Sequence, residues 1–110
     1  MIDDILSSDN TYKVSFCCYE VRMSHWIKQP HLIRVGDNQT LFSLNGASWS
    51  AFTVKWRDDE TVDLQVCKYP GRIACSLVLN AALDEGTVVG PSGSYAGTLR
   101  EVSHWILKLY

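Results

Sequence analysis

The clearest pattern in this chain is the alternation of apolar and polar residues between Phe52 and Leu79. Alternation with a period of two places the apolar residues of each run on one face of a β-strand. Short polar stretches separate the runs, which predicts an antiparallel meander with one buried face. The alternating apolar residues are Phe52, Val54 and Trp56, then Val62, Leu64 and Val66, and finally Ile73, Cys75, Leu77 and Leu79.

The alternation also predicts which residues face each other in the meander. Matching the apolar faces of the first two runs aligns Trp56 with Val62 and sets Lys55 opposite Asp63 on the solvent face. A cross-strand pair of opposite charges contributes roughly 0.2–1 kcal/mol. Matching the second and third runs leaves residues 69–72 as a four-residue loop, a common hairpin length. The other predicted pairs are Phe52–Val66, Thr53–Gln65, Val54–Leu64, Val66–Cys75, Leu64–Leu77, Val62–Leu79 and Cys67–Ala74.

The four cysteines are predicted to carry free thiols. The register puts Cys75 on the core face and Cys67 on the opposite face, so disulfide geometry excludes a bridge between them. Cys17 and Cys18 are adjacent, and on a strand they point to opposite faces, so one metal ion cannot bind both. We expect small residues in or near the core, with no metal and no cofactor; a reactive thiol or a metal site is the alternative.

Outside the meander the pattern predicts further strands, two short helical segments and one long loop. Val14 and Phe16 share one parity, whereas Tyr19 and Val21 share the other, so a β-bulge near Cys17 is expected in the first long strand. The predicted segments are a helix over 1–8, a strand over 12–23, hairpin strands over 32–35 and 40–44, a turn at 45–46, a helical turn over 80–85, a loop over 86–94 and a strand over 101–110.

Together these segments predict a mainly β protein, a single domain spanning residues 1–110. We expect an antiparallel β-sandwich or a strongly bent sheet of about seven strands, with at most one or two short helices. The predicted core residues are Val14, Phe16, Phe42, Phe52, Val54, Trp56, Val62, Leu64, Val66, Ile73, Leu77, Leu79, Trp105 and Leu107.

Composition and charge exclude several classes of function. The chain has 46% hydrophobic and 20% charged residues, which is ordinary for a globular domain. A net charge of −2 argues against a nucleic-acid partner. The start of the chain lacks a basic region and a long apolar run, so we expect no signal peptide. No segment approaches the roughly 18 apolar residues needed to span a bilayer, so we expect no membrane association. Free thiols without an export signal predict a cytoplasmic location.

The catalytic residue types form no recognisable catalytic motif. His25, His31 and His104 are available as bases, but no nucleophile elbow, phosphate loop or metal-binding helix accompanies them. The tetrapeptide Ser-His-Trp-Ile occurs at 24–27 and again at 103–106, which we interpret as coincidence or as similar strand environments. We therefore expect no enzymatic activity. The alternative is a small-ligand-binding or minor enzymatic domain with a pocket lined by His25, His104 and neighbouring tryptophans; an accessory structural subunit is a third hypothesis.

Acidic residues are clustered along the chain, whereas basic residues are scattered singly. One interpretation is ordinary solvation of turns and helix ends. The other is a surface for a basic partner, because complementary charge steers encounter and aromatic anchors bind. Trp49 lies beside a predicted turn and is the candidate anchor if it is exposed. The candidate partner-binding residues are Asp58, Asp59, Glu60, Asp84, Glu85 and Trp49.

The chain resembles the small, cytosolic, single-domain immunity proteins that bacteria encode beside polymorphic toxins, including those of contact-dependent growth inhibition. The resemblance is carried by the length, the start Met1-Ile2-Asp3-Asp4, the segment 54–71 and the ending Leu109-Tyr110. It implies stoichiometric binding of a cognate toxin, often a nuclease, with occlusion of the toxin's active site. Because many nuclease immunity proteins are more acidic than −2, the class of toxin stays open.

Overall fold

The computed structural model describes residues 4–21, 25–44, 48–69, 73–91 and 93–108. Within these ranges the chain forms nine strands in two antiparallel sheets, followed by one helix, so the predicted mainly β class is confirmed. The first sheet contains β1 (Ile5–Leu6), β2 (Tyr12–Val21), β3 (His25–Arg34) and β4 (Gln39–Ser43) in that spatial order. The second contains β5 (Trp49–Trp56), β6 (Thr61–Lys68), β7 (Ala74–Asn80), β8 (Glu85–Gly90) and β9 (Gly93–Gly97), and the helix α1 spans Leu99–Leu107.

One hydrophobic core joins the two sheets and the helix. Leu32 and Phe42 of the first sheet belong to the same buried cluster as Leu64 and Leu77 of the second. Helix α1 packs against β4, β8 and β9 and adds its buried side chains to that cluster. The helix therefore covers a core that the two sheets alone would leave open.

The predicted register of the meander is confirmed on both sides of its central strand, β6. Lys55 lies opposite Asp63, and Cys67 lies opposite Ala74. Each one-residue slip would move every apolar side chain of a strand to the solvent face, so the alternation alone determines this pairing. The other confirmed pairs are Thr53–Gln65, Val54–Leu64, Trp56–Val62, Val66–Cys75, Leu64–Leu77 and Val62–Leu79.

The predicted pair Phe52–Val66 is wrong because β5 contains a bulge. Ala51 pairs with Val66 and Thr53 pairs with Gln65, so Phe52 has no partner opposite it. An extra residue in one strand shifts the alternation by one position. The sequence predicts Phe52 in the core. The bulge instead turns Phe52 toward the surface and leaves it 58% exposed.

The predicted bulge near Cys17 is absent, and the paired parts of β2 and β3 follow one continuous register from Tyr12–Arg34 to Val21–His25. The change of phase has another cause, because the first sheet buries different faces at its two ends. Val14 and its partner Leu32 are buried on one face, whereas Ile27 and Gln29 are buried on the other.

The predicted C-terminal strand is wrong, because residues 99–107 form α1. The buried residues Leu99, Val102, Ser103 and Ile106 are spaced by three or four positions, as one face of a helix requires. A capping box starts the helix: the Thr98 side chain accepts a hydrogen bond from Glu101 N, and the Glu101 carboxylate accepts one from Thr98 N.

Three other segment predictions are also wrong. Ile5–Leu6 pairs with β2 as a strand within the predicted helix over 1–8, whose first three residues lie outside the described residues. Residues 81–84 form a hairpin turn where a helical turn over 80–85 is predicted. Two strands, Glu85–Gly90 and Gly93–Gly97, occupy most of the predicted loop over 86–94. The predicted hairpin across β3 and β4 is confirmed, whereas the turn at 45–46 lies outside the described residues.

Most of the predicted core residues are buried, or pack against the core while partly exposed. Phe52 is the exception among them. Phe16, Val54, Trp56, Ile73, Trp105 and Leu107 are the partly buried ones. The prediction missed Ile27, Leu32, Leu44, Trp49, Ala51, Ala81, Val88, Leu99, Val102 and Ile106, all of which are buried.

All four cysteines are free. Cys75 is buried on the core face of β7, and burial raises the pKa of its thiol. Cys67 lies on β6 opposite Ala74, on the other face of the sheet, as predicted. The expectation that Cys17 and Cys18 lie in or near the core is wrong, since both are exposed.

The bulge leads to a test of stability. We expect Trp49→Ala to lower the free energy of unfolding by about 3–5 kcal/mol, because it removes a fully buried aromatic side chain. Phe52→Ala is expected to change it by less than about 1 kcal/mol, because the Phe52 side chain is mostly exposed. Urea unfolding of the two variants measures the difference, and equal losses would contradict the placement of both residues.

Candidate functional site

The two acidic clusters singled out in the sequence lie at the same end of the five-stranded sheet. Antiparallel order places the β5–β6 turn, residues 57–60, beside the β7–β8 turn, residues 81–84. The backbone N–H of Ala81 donates to the carbonyl oxygen of Glu60 at 2.8 Å and joins the two turns directly. Asn80 also donates to the Thr61 hydroxyl, at 3.3 Å. Residues separated by more than twenty positions in sequence therefore form one acidic end.

Asp58 stabilises the first of these turns through its own backbone contacts. Its carboxylate accepts hydrogen bonds from the N–H groups of Glu60, at 2.8 Å, and Thr61, at 2.7 Å. These backbone hydrogen bonds, that of Glu60 first, lower the pKa of the Asp58 carboxyl below its ordinary value. The hairpin thus closes without glycine, because the aspartate side chain satisfies the turn.

Arg57, the basic residue of the first turn, already forms an ion pair within the hairpin. Arg57 Nε lies 2.8 Å from the carboxylate of Asp63. Arg57, rather than the directly opposite Lys55, forms this ion pair. The pair neutralises one cation within the hairpin and leaves the exposed Asp59 and Glu60 to set the charge of its tip.

The second turn presents an apolar side chain beside its acidic residues. Asn80 Oδ1 accepts a hydrogen bond from Leu83 N at 2.8 Å, which fixes the turn. Asp84 follows with φ of 53°, a left-handed conformation that aspartate tolerates better than most residues. Ala81 points into the core, whereas Leu83 is 63% exposed.

A groove of about 560 Å³ lies between the second turn, the two strands that follow it and the start of α1. Its acidic side chains are Asp84, Glu85 and Glu101, and no lysine, arginine or histidine is among its described lining residues. The groove therefore concentrates negative charge around the exposed Leu83. Its lining consists of Leu83, Asp84, Glu85, Gly86, Thr87, Ala96, Gly97, Thr98 and Glu101.

Two glycines that pair across β8 and β9 allow the helix to approach this part of the sheet. A Cβ on Gly86 would lie 3.0 Å from Leu79 Cδ2 and 3.2 Å from Val102 Cγ2. A Cβ on Gly97 would lie 2.8 Å from Glu101 Oε1, the atom that caps the helix. A larger residue at Gly86 would press on the Leu79 and Val102 side chains, and one at Gly97 would displace the Glu101 carboxylate that caps the helix.

The structure separates the six candidate residues by environment. Asp59 and Glu60 are exposed at the first turn, and Asp84 and Glu85 line the groove. Asp58 lies in the first turn, beside Asp59, but its carboxylate accepts hydrogen bonds from the backbone of that turn. Trp49 is fully buried, so the expectation of an exposed aromatic anchor there is wrong.

Two residues of this site were not among the candidates predicted from the sequence. Leu83 is an apolar residue that directly precedes Asp84 and Glu85, and its exposure follows only from the hairpin turn. Glu101 was assigned to a strand, although the spacing from Thr98 to Glu101 is that of a capping box. That spacing was the available signal for the helix and for the third carboxylate of the groove.

The histidine and tryptophan residues of the repeated tetrapeptide lie in different secondary structures. Trp26 is on β3, whereas Trp105 is on α1, where it stacks on Tyr95 with ring centroids 6.0 Å apart. The interpretation as similar strand environments is therefore wrong. His104 is exposed on the helix and does not line the groove.

Within the described ranges, no three His, Cys, Asp or Glu side chains are arranged to hold a metal ion. In the same ranges, no helix has the length and apolar content needed to cross a membrane. Comparison of the chain with protein-family models, curated proteins and solved structures gives no match.

The contacts of Asp58 lead to a prediction about pH. At neutral pH we expect Asp58→Ala to destabilise the protein more than Asp59→Ala, because only Asp58 accepts hydrogen bonds from the turn. Its folded-state pKa is lowered, so this stabilisation is present above the unfolded pKa and is lost as the pH falls through the folded pKa. Urea unfolding of both variants across acidic pH should show the difference shrinking, and a difference that grows on acidification would contradict this role.

Proposed function

We propose that this protein is a non-catalytic inhibitor that neutralises a cognate toxin by forming a stoichiometric complex and occluding its active site. The observation that carries the proposal is the acidic end of the five-stranded sheet, where Asp84, Glu85 and Glu101 line a groove with the exposed Leu83. The adjoining turn, joined to this one by a backbone hydrogen bond, adds the exposed Asp59 and Glu60. We propose a cytoplasmic location for the complex, in a bacterium that carries the toxin beside this protein, as in contact-dependent growth inhibition.

The charge at this end favours a basic partner surface. Asp59 and Glu60 are exposed on one turn, Asp84 ends the next turn and Glu85 begins β8, and the groove lining contains no basic residue among those described. Clustered charges of one sign attract a complementary surface over several ångströms and raise its association rate. Enzymes that bind nucleic acids concentrate lysine and arginine where they contact phosphates. A nuclease is therefore the toxin class that this surface fits best.

The groove adds shape and apolar area to that charge. Leu83 is exposed at the edge of the groove. The groove has a volume of about 560 Å³, which is large enough for several side chains of a partner. Central apolar contacts mainly determine how slowly a complex dissociates, whereas charges at the rim mainly determine how fast it forms. The proposed interface therefore combines an acidic rim with an apolar contact at Leu83.

The proposal predicts a one-to-one complex with the product of a toxin gene adjacent to this one, and protection of cells that co-express both. We expect the variants Asp59→Asn/Glu60→Gln and Asp84→Asn/Glu85→Gln to bind roughly two- to thirtyfold more weakly, the range for losing two exposed ion pairs. The loss should lie mainly in the association rate and should diminish at high salt. Asn suits position 84 because it also tolerates a positive φ.

Matched controls separate local contacts from overall charge. Asp9→Asn/Asp37→Asn removes the same charge from two turns of the four-stranded sheet and keeps the side-chain oxygens that accept backbone hydrogen bonds. It should bind the toxin with nearly unchanged kinetics. Leu83→Ala should accelerate dissociation, whereas Val89→Ala, at an exposed position outside the groove, should not. Equal effects of all three charge variants, or no complex with the neighbouring gene product, would contradict the proposal.

A further inference from the structure

A second cleft lies between the two sheets, away from the acidic groove. It has a volume of about 140 Å³ and is lined by β1, β2 and β3 on one side and by β5 on the other. This volume accommodates a single large side chain rather than a drug-sized ligand. The lining residues are Ile5, Phe16, Lys28, Ala51, Phe52, Thr53 and Val54.

Two hydrogen bonds between the sheets frame this cleft along β5. Trp56 Nε1 donates to the carbonyl oxygen of Ile5 at 3.0 Å on one side. The backbone N–H of Lys28 donates to Ser50 Oγ at 3.0 Å on the other. The β5 residues that line the cleft, 51–54, lie between these two contacts. The sheets are therefore tied together on both sides of the opening.

The β-bulge supplies the apolar wall of the cleft. Phe52 is the unpaired residue of the bulge and is 58% exposed, next to the buried Ala51 and the exposed Thr53. Bulges recur where a strand redirects a side chain toward a functional site. Ile5 is also partly exposed at the cleft, so a ligand would find apolar surface on both sides.

Lys28 supplies the polar contact. It is exposed at the cleft, no acidic residue is among the described lining, and the structure gives its ammonium group no ion pair with any described residue. Trp26, two positions earlier on the same face of β3, is also exposed. The cleft thus combines an apolar slot with a cation, the opposite of the charge around the acidic groove.

We infer that this cleft is a docking site for a partner-protein segment that presents one large apolar side chain beside a carboxylate. The apolar side chain enters between Phe52 and Ile5, and the carboxylate pairs with the Lys28 ammonium group. Charge complementarity at Lys28 selects this occupant over a basic segment, which the acidic groove would take instead. The inference is independent of the proposed inhibition, because the two surfaces share no residue.

Capped dipeptides test the inference directly on the intact chain by NMR titration. The probe is N-acetyl-phenylalanyl-aspartyl amide, compared with its asparaginyl analogue, which lacks the charge, and its alanyl-aspartyl analogue, which lacks the ring. We expect the first to shift the signals of Phe52 and Lys28, and to bind about two- to fivefold more tightly than the asparaginyl analogue at low salt. Loss of the ring should weaken binding at least about tenfold.

Variants assign the two contacts separately. Phe52→Ala should weaken binding of the probe at least about tenfold, whereas Lys28→Gln should remove the preference for the charged dipeptide and leave ring-dependent binding. Leu83→Ala, at the other exposed apolar site, is the control and should leave the titration unchanged. Probe binding unaffected by Phe52→Ala, the absence of signal shifts at Phe52, or a concentration-dependent dimer that Phe52→Ala abolishes would overturn the inference.

Discussion

The architecture depends on one constraint in β5, which is that the strand buries residues of both parities on the same face. Trp49 and Ala51 are buried in the first half of the strand, and Val54 and Trp56 pack against the core in its second half. Strict alternation cannot satisfy both sets, because it would turn one of them to solvent. The bulge resolves the conflict by leaving Phe52 unpaired, which exposes one phenylalanine and keeps a tryptophan in the core.

The rest of the molecule follows from that solution. Once β5 and β6 are in register, the meander continues through β9 and places the turns at 57–60 and 81–84 at one end. Helix α1 closes over the far strands of the same sheet and completes the acidic groove. The exposed Phe52 faces the junction of the two sheets instead. The same strand pairing therefore produces two surfaces of opposite charge, the acidic groove and the cleft beside Lys28, which share no residue.

Local alternation was sufficient to predict β6 and β7, because Val62, Leu64 and Val66 leave a single register that buries them all. Alternation did not predict α1, because Trp105 and Leu107 are spaced as on one face of a strand. The buried face of the helix consists instead of Leu99, Val102, Ser103 and Ile106. Acidic turns were recognisable as candidates from sequence. Their proximity and the groove were not recognisable, because the lining comes from residues 83–87 and from residues 96–98 and Glu101, which only tertiary structure brings together.

The bulge can be tested through the native Cys67, because it lies opposite position 50 in the bulged register and would lie opposite position 51 without the bulge. Directly opposed residues on antiparallel strands have the Cα separation that a disulfide requires. With Cys17 and Cys18 replaced by serine, Ser50→Cys and Ala51→Cys are each oxidised mildly and their disulfides mapped by mass spectrometry. We predict that Cys67 forms a disulfide with the cysteine introduced at position 50 and none with that at position 51. A disulfide from position 51 alone would contradict the bulge, the exposure of Phe52 and the division of surfaces that follows from them.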